Sequence, residues 1–179
     1  MSRSIRASVF AALAALIALP RLASAQGTLT TYNLAGGIAL PTGNYGNFNE
    51  SGFSLIGGLG LAMPASPLRF RGEASYSQFN HKAPFNQSSR AGAFTGNAIY
   101  DLVMGPGTPF TPYAIGGIGL YGTRDFDDQD SQWNVGWNLG GGVRFPLTGF
   151  SVYVEARYHS VSRSSVNASF APIVFGVAF

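Results

Sequence analysis

Residues 132–145 read Gln132-Trp133-Asn134-Val135-Gly136-Trp137-Asn138-Leu139-Gly140-Gly141-Gly142-Val143-Arg144-Phe145. Trp133, Val135, Trp137, Leu139, Val143 and Phe145 alternate with Gln132, Asn134, Asn138 and Arg144. A period of two puts the two sets on opposite faces of an extended strand. The pattern recurs from Leu68, where Leu68, Phe70, Ala74 and Tyr76 are set against Arg69, Arg71, Glu73, Ser75 and Ser77. Val152, Val154, Ala156 and Tyr158 likewise alternate with Ser151, Tyr153, Glu155, Arg157 and His159. Helices are expected to have no share in the fold.

Working outward from these stretches, eight strands are predicted, at 29–41, 53–63, 68–79, 91–104, 110–122, 132–145, 150–160 and 169–179. In the fifth, Tyr113, Ile115 and Tyr121 compete with Ala114, Ile118 and Leu120 for one face. The connectors at 64–67, 105–109 and 146–149 are short and rich in proline, glycine and serine or threonine, the chemistry of tight turns. Those at 42–52, 80–90, 123–131 and 161–168 are longer and polar. Short turns alternating with long loops are the layout of an all-β, eight-stranded, antiparallel up-and-down transmembrane barrel.

Alternation alone does not say which face is outside, and a soluble lipocalin-like barrel would turn its apolar set inward. Only 11% of the residues are charged, against about 25% in ordinary soluble domains. The strands approach the 9–11 residues that a tilted membrane strand needs. Aromatic residues gather at strand ends: Phe53, Tyr76, Phe94, Tyr121, Trp133 and Tyr158 at the loop end, and Tyr32, Phe70, Tyr100, Phe110, Phe145 and Phe150 at the turn end. That is the distribution of two interfacial girdles. In the clearly alternating strands no charge falls on the apolar face, where it would cost about 2–4 kcal/mol at the bilayer midplane. The exterior is therefore expected to face lipid.

The first 25 residues read as a targeting segment. Arg3 and Arg6 precede an apolar run from Val9 to Pro20, and Ala23-Ser24-Ala25 supplies small residues for cleavage after Ala25. Residues 26–179 would then form the outer-membrane barrel. Loss of Arg3, Arg6 and Arg21 takes Lys+Arg from 11 to 8, equal to the 8 acids. No basic excess then remains to favour nucleic acid. With no cysteine, thiolate metal sites and cysteine nucleophiles are excluded.

At the C-terminus Ile173, Phe175, Val177 and Phe179 alternate to the last residue. This resembles the assembly signal by which bacterial outer-membrane barrels are recognised by their insertion machinery. The tract Pro112-Tyr113-Ala114-Ile115-Gly116-Gly117-Ile118-Gly119-Leu120-Tyr121 and the run Val152-Tyr153-Val154-Glu155-Ala156-Arg157-Tyr158 are similar to the small OmpA/OmpX-type and opacity-protein family. The resemblance implies an outer-membrane location, with outer-membrane lipid, lipopolysaccharide and the barrel assembly machinery as partners and no cofactor. It also implies a monomer with a structural or surface-interaction role, four loops being free to meet a surface ligand.

Other functions are weighed against this. Some barrels of the group modify lipid A, and His159-Ser160-Val161-Ser162 invites comparison with the lipid A 3-O-deacylase family. That family spaces its histidine and serine two residues apart on one face, whereas Ser160 and Ser162 fall on the face opposite His159. A nucleophile has to reach its base, so no catalytic residue is expected. Pro112 and Pro172 each remove a ladder donor and admit the idea of a lateral passage for a small hydrophobic molecule. Asp125-Phe126-Asp127-Asp128-Gln129-Asp130 groups carboxylates that suit a hard cation. It lacks the spacing of a calcium loop, so no metal site is expected. The remaining polar set, Arg69, Arg71, Glu73, Asp101, Arg144, Glu155 and Arg157, is expected to pair inside the lumen as a plug. Arg69, Arg71 and Asp101 are placed toward the turn end of neighbouring strands, and Glu155 near Arg157 on the same face. The rival reading of the same residues is a gate that opens a small conductance.

Overall fold

The computed structural model describes residues 29–63, 65–81, 88–124, 132–162 and 168–179. Eight strands follow in chain order: β1 Leu29–Thr42, β2 Gly52–Ala62, β3 Leu68–Asn80, β4 Ser88–Asp101, β5 Thr111–Arg124, β6 Gln132–Pro146, β7 Ser151–Val161 and β8 Ala168–Ala178. Each pairs antiparallel with its neighbours in sequence, and β1 pairs with β8 to close the barrel. Reciprocal backbone bonds between Tyr32 and Phe179 extend this seam at the turn end, at 2.7 and 3.0 Å.

The faces divide as a membrane barrel requires. Leu34, Leu55, Phe94, Ile118, Val135, Leu139 and Phe175 point outward and are each more than half exposed. Arg71, Glu73, Glu155 and Arg157 point inward and are buried. A soluble barrel would show the reverse, because water would have to wet the outer set.

Three expectations are corrected. β4 stops at Asp101, not at 104: Leu102 N donates to Pro112 O at 2.9 Å, but Pro112 has no N–H to return the bond and continue the ladder. Tyr121 does not join the loop-end girdle but is fully buried in the lumen. The pairing of Gly122 with the outward Trp133 sets the parity of β5, so odd residues face in. That resolves the fifth strand: Tyr113, Ile115 and Tyr121 are buried, while Ile118 and Leu120 meet lipid. Finally, a six-residue helix α1, Gly43–Phe48, follows β1. Gly43 opens it with φ of 57°, a conformation cheap only for glycine.

Several of the other girdle aromatics pair on the outer wall. Phe53 lies 6.0 Å from Tyr76, Phe94 stacks on Trp133 at 6.0 Å, and Phe110 lies 6.1 Å from Phe145. The expected leader at 1–25 lies outside the described residues.

Candidate functional site

The lumen is filled in three layers. Eight strands leave an interior just wide enough for side chains to meet across it. In the middle layer two arginines and two glutamates form a closed ring. Arg71 Nη2 donates to Glu155 Oε2 at 2.6 Å, and Arg157 Nη1 donates to Glu73 Oε2 at 2.6 Å. Arg71 Nε stands 2.9 Å from Glu73 Oε1, and Arg157 Nε stands 2.9 Å from Glu155 Oε1. Each charge therefore touches two of opposite sign, and the ring is formally neutral. All four side chains are buried.

Neutral groups complete the carboxylate shells. Tyr113 Oη donates to Glu155 Oε2 at 2.7 Å, and Asn97 Nδ2 donates to Glu73 Oε2 at 2.8 Å. Asn138 Nδ2 in turn donates to Asn97 Oδ1 at 2.9 Å. The Arg71 guanidinium lies over the Tyr153 ring, 5.5 Å from its centroid, a cation–π geometry. Buried charges survive where every partner is present, and here the partners come from β3, β4, β5, β6 and β7.

At the turn end Arg69, Asp101 and Arg144 form a separate triad. This corrects the grouping expected from strand positions, in which Arg71 stood with Arg69 and Asp101. Arg71 belongs to the ring because its side chain reaches across the lumen to β7. The loop-end layer is mainly apolar: Ala39, Phe79, Ala91, Ala93, Tyr121, Val161, Ala168 and Phe170 are buried together, and Tyr45 of α1 packs against them. Its ring meets Phe79 edge-on at 5.4 Å. His159 lies in this layer, stacked on Phe170 at 4.9 Å, with Nδ1 2.9 Å from Tyr121 Oη.

Glycines on the inner face of β5, β6 and β8 make room for these groups. A Cβ at Gly140 would fall 2.8 Å from Arg157 Cγ. At Gly136 it would lie 2.8 Å from Tyr121 Cδ2, at Gly142 2.6 Å from Tyr113 Cζ, and at Gly176 2.6 Å from Tyr153 Cε1. Of these four, only Gly140 accommodates an arginine and the other three accommodate tyrosines, while Gly117 and Gly119 of β5 face Asn97 and Thr95.

Sequence reasoning missed Tyr113, Asn97, Asn138 and Tyr153 as members of the network. Strand parity was the available signal, since Asn97 and Asn138 alternate in step with inward residues. Of the deacylase comparison, His159 faces the lumen while Ser160 is on the other face, opposite Trp137 and Ser169. No acid and no serine hydroxyl bonds to His159 among the described residues. The acidic loop 125–130 lies outside the described residues, and no cluster of three metal-ligating side chains occurs among those described. At Pro172 the β7–β8 pairing skips two positions, then resumes in the same register at Phe170 with His159. Pro112 keeps its place opposite Val143. The alternating terminal residues Ile173, Phe175 and Val177 lie on the outer face, and Phe179 closes the β1–β8 seam.

This architecture is shared with known proteins. Residues 9–179 match the family model for the outer membrane protein beta-barrel domain. Neisserial surface protein A is similar in structure at a TM-score of 0.67 and 18% identity, covering 86% of this chain and 98% of that one. The N-terminal β-barrel domain of Pseudomonas aeruginosa OprF is similar at 0.51 and 16% identity, with 86% and 98% covered. The outer membrane enzyme PagL is similar at 0.52 and 18%, with 83% and 98% covered. No curated protein matches the chain. At these identities the structural likenesses speak to the fold alone, and the family match spans nearly the whole sequence: the chain belongs to the outer membrane protein beta-barrel domain family and is a bacterial outer-membrane barrel.

Proposed function

We propose that the protein is a non-enzymatic surface barrel whose lumen is a plug and whose four long connectors carry its interactions. The observation that carries this reading is the closed Arg71–Glu73–Arg157–Glu155 ring beneath an apolar loop-end layer. An ion crossing the lumen would have to break a neutral, fully paired ring and then displace Phe79, Tyr121 and Phe170. Neither barrier serves a pore. The short turns face the periplasm and the long loops face outward, as in barrels of this kind. The deacylase reading loses support because His159 and Ser160 project from opposite faces.

Planar bilayer recording tests the plug. Wild-type protein is expected to give no stable channels. Steady conductance that changes on Glu73→Gln or Glu155→Gln would replace the plug with a gate. Mass spectrometry of lipid A from cells with and without the protein should show identical acyl chains. A lost or added chain would restore the enzyme reading.

The terminal pattern carries a separate expectation. Ile173, Phe175 and Val177 face lipid in the folded barrel, and we read them with Phe179 as the signal for assembly. Deleting Phe179 should slow insertion, followed by the heat-sensitive gel mobility of a closed barrel. Insertion at the normal rate would remove that role.

A further inference from the structure

The turn-end triad is unbalanced in a way the ring is not. Asp101 Oδ1 accepts from Arg69 Nη2 at 2.6 Å, and Oδ2 accepts from Arg69 Nε and Arg144 Nη2, each at 2.9 Å. The carboxylate thus accepts three hydrogen bonds, from both arginines. Each guanidinium carries five N–H donors, so Arg69 keeps three spare and Arg144 four. Among the described residues, Arg144 has no hydrogen-bond partner besides Asp101.

The triad carries a formal charge of +1, and among the described residues no other acid joins it. Glu73 and Glu155 are committed to the ring. Glu50 follows β1 on the loop side. Phe179 lies on the β8–β1 seam, the opposite wall from β3 to β6. The side chains of Arg69, Asp101 and Arg144 remain 19, 15 and 23% exposed, so water reaches all three. Behind Arg69 the Tyr113 ring closes the floor, 5.7 Å from the guanidinium carbon.

We propose that this triad is an oxyanion site at the periplasmic mouth, taking a phosphate group. Two guanidinium forks with free N–H edges suit a tetrahedral oxyanion, and charge-assisted bonds to such forks are the strong ones. The neutral, buried ring behind the triad stops the anion at the mouth, so this is a binding site and not a passage. Binding here does not depend on what the loops recognise, because it is read on the isolated barrel.

The test is titration of the full-length barrel in neutral detergent micelles at low salt. Inorganic phosphate and dimethyl phosphate are added separately, and binding is followed by calorimetry. Saturable uptake of inorganic phosphate at or below about 1 mM is expected. Binding of dimethyl phosphate with equal strength would identify a lipid phosphodiester as the source of the group. Preference for inorganic phosphate would identify a soluble ligand. Arg144→Gln should weaken binding about tenfold or more, and Asp101→Asn, which removes the competing carboxylate, should tighten it. A purely structural triad predicts no tightening. Absence of saturable uptake by the wild type, or unchanged affinity in Asp101→Asn, would overturn the proposal. If Arg144→Gln fails to fold, the direction of the Asp101→Asn effect decides alone.

Discussion

Replacing Glu155 by alanine is expected to destabilise the barrel by about 3–5 kcal/mol, the cost of breaking a buried ion pair from one side. Glu155 Oε2 receives Arg71 Nη2 at 2.6 Å and the Tyr113 hydroxyl at 2.7 Å, while Oε1 stands 2.9 Å from Arg157 Nε. Its loss leaves two guanidiniums facing Glu73 alone, in a layer where the side chains are 1–4% exposed. The Tyr113 hydroxyl is orphaned as well. Urea unfolding in micelles, followed by tryptophan emission, measures the change. A charge-balanced pair of substitutions makes the argument sharper. Glu155→Leu with Arg157→Met removes one charge of each sign and leaves Arg71 with Glu73. It should cost less than Glu155→Ala alone, since unpaired charge is dearer than a missing pair. A double variant less stable than the single one would show that packing, not charge balance, governs this layer.

The ring also shows where sequence reading stops. Alternation in β3, β6 and β7 is enough to sort lipid-facing from lumen-facing residues, and the six charged residues it sets inward on those strands, Arg69, Arg71, Glu73, Arg144, Glu155 and Arg157, do project inward. Alternation carries no information about which residues meet across the barrel. Arg71 and Glu155 are 84 positions apart, and their meeting depends on strand stagger and on side chains long enough to span a narrow lumen. The expected grouping of Arg71 with Asp101 failed for that reason. β5 was ambiguous because Gly116, Gly117, Gly119 and Gly122 blank out the period on both faces. Its parity becomes readable only through Gly122 opposite Trp133. Helix α1 was invisible for a different cause. Gly43-Asn44-Tyr45-Gly46-Asn47-Phe48 is poor in helix formers. Its position is held by the packing of Tyr45 on Phe79, a tertiary contact with no local signature.

Glycine substitutions separate the two walls of the barrel by the sign of their effect. Gly72 and Gly96 pair with one another on the outer face. An added Cβ at either meets nothing within 4 Å, and both line an apolar groove of about 410 Å³ with Leu59, Leu61, Phe70 and Ile118. Alanine at these positions restricts the unfolded chain and adds apolar surface toward lipid, so it should be neutral or stabilising by about 0.4–1 kcal/mol. Gly140 is the opposite case. Its Cβ would press on the carbonyl oxygen of Ala156 and come within 2.7 Å of Arg157 Cα. These are backbone atoms of the facing strand and cannot swing aside. Only a shift of β6 against β7 relieves the overlap, and that shift pulls Arg157 away from Glu73 and Glu155. Overpacking commonly costs about 1–3 kcal/mol. Because the ring is disturbed too, Gly140→Ala should reach the upper part of that range or exceed it. The three variants are compared by urea midpoint in the same micelles. Equal midpoints for Gly140→Ala and Gly72→Ala would mean that β6 and β7 can part without cost, and that the ring does not tie them together.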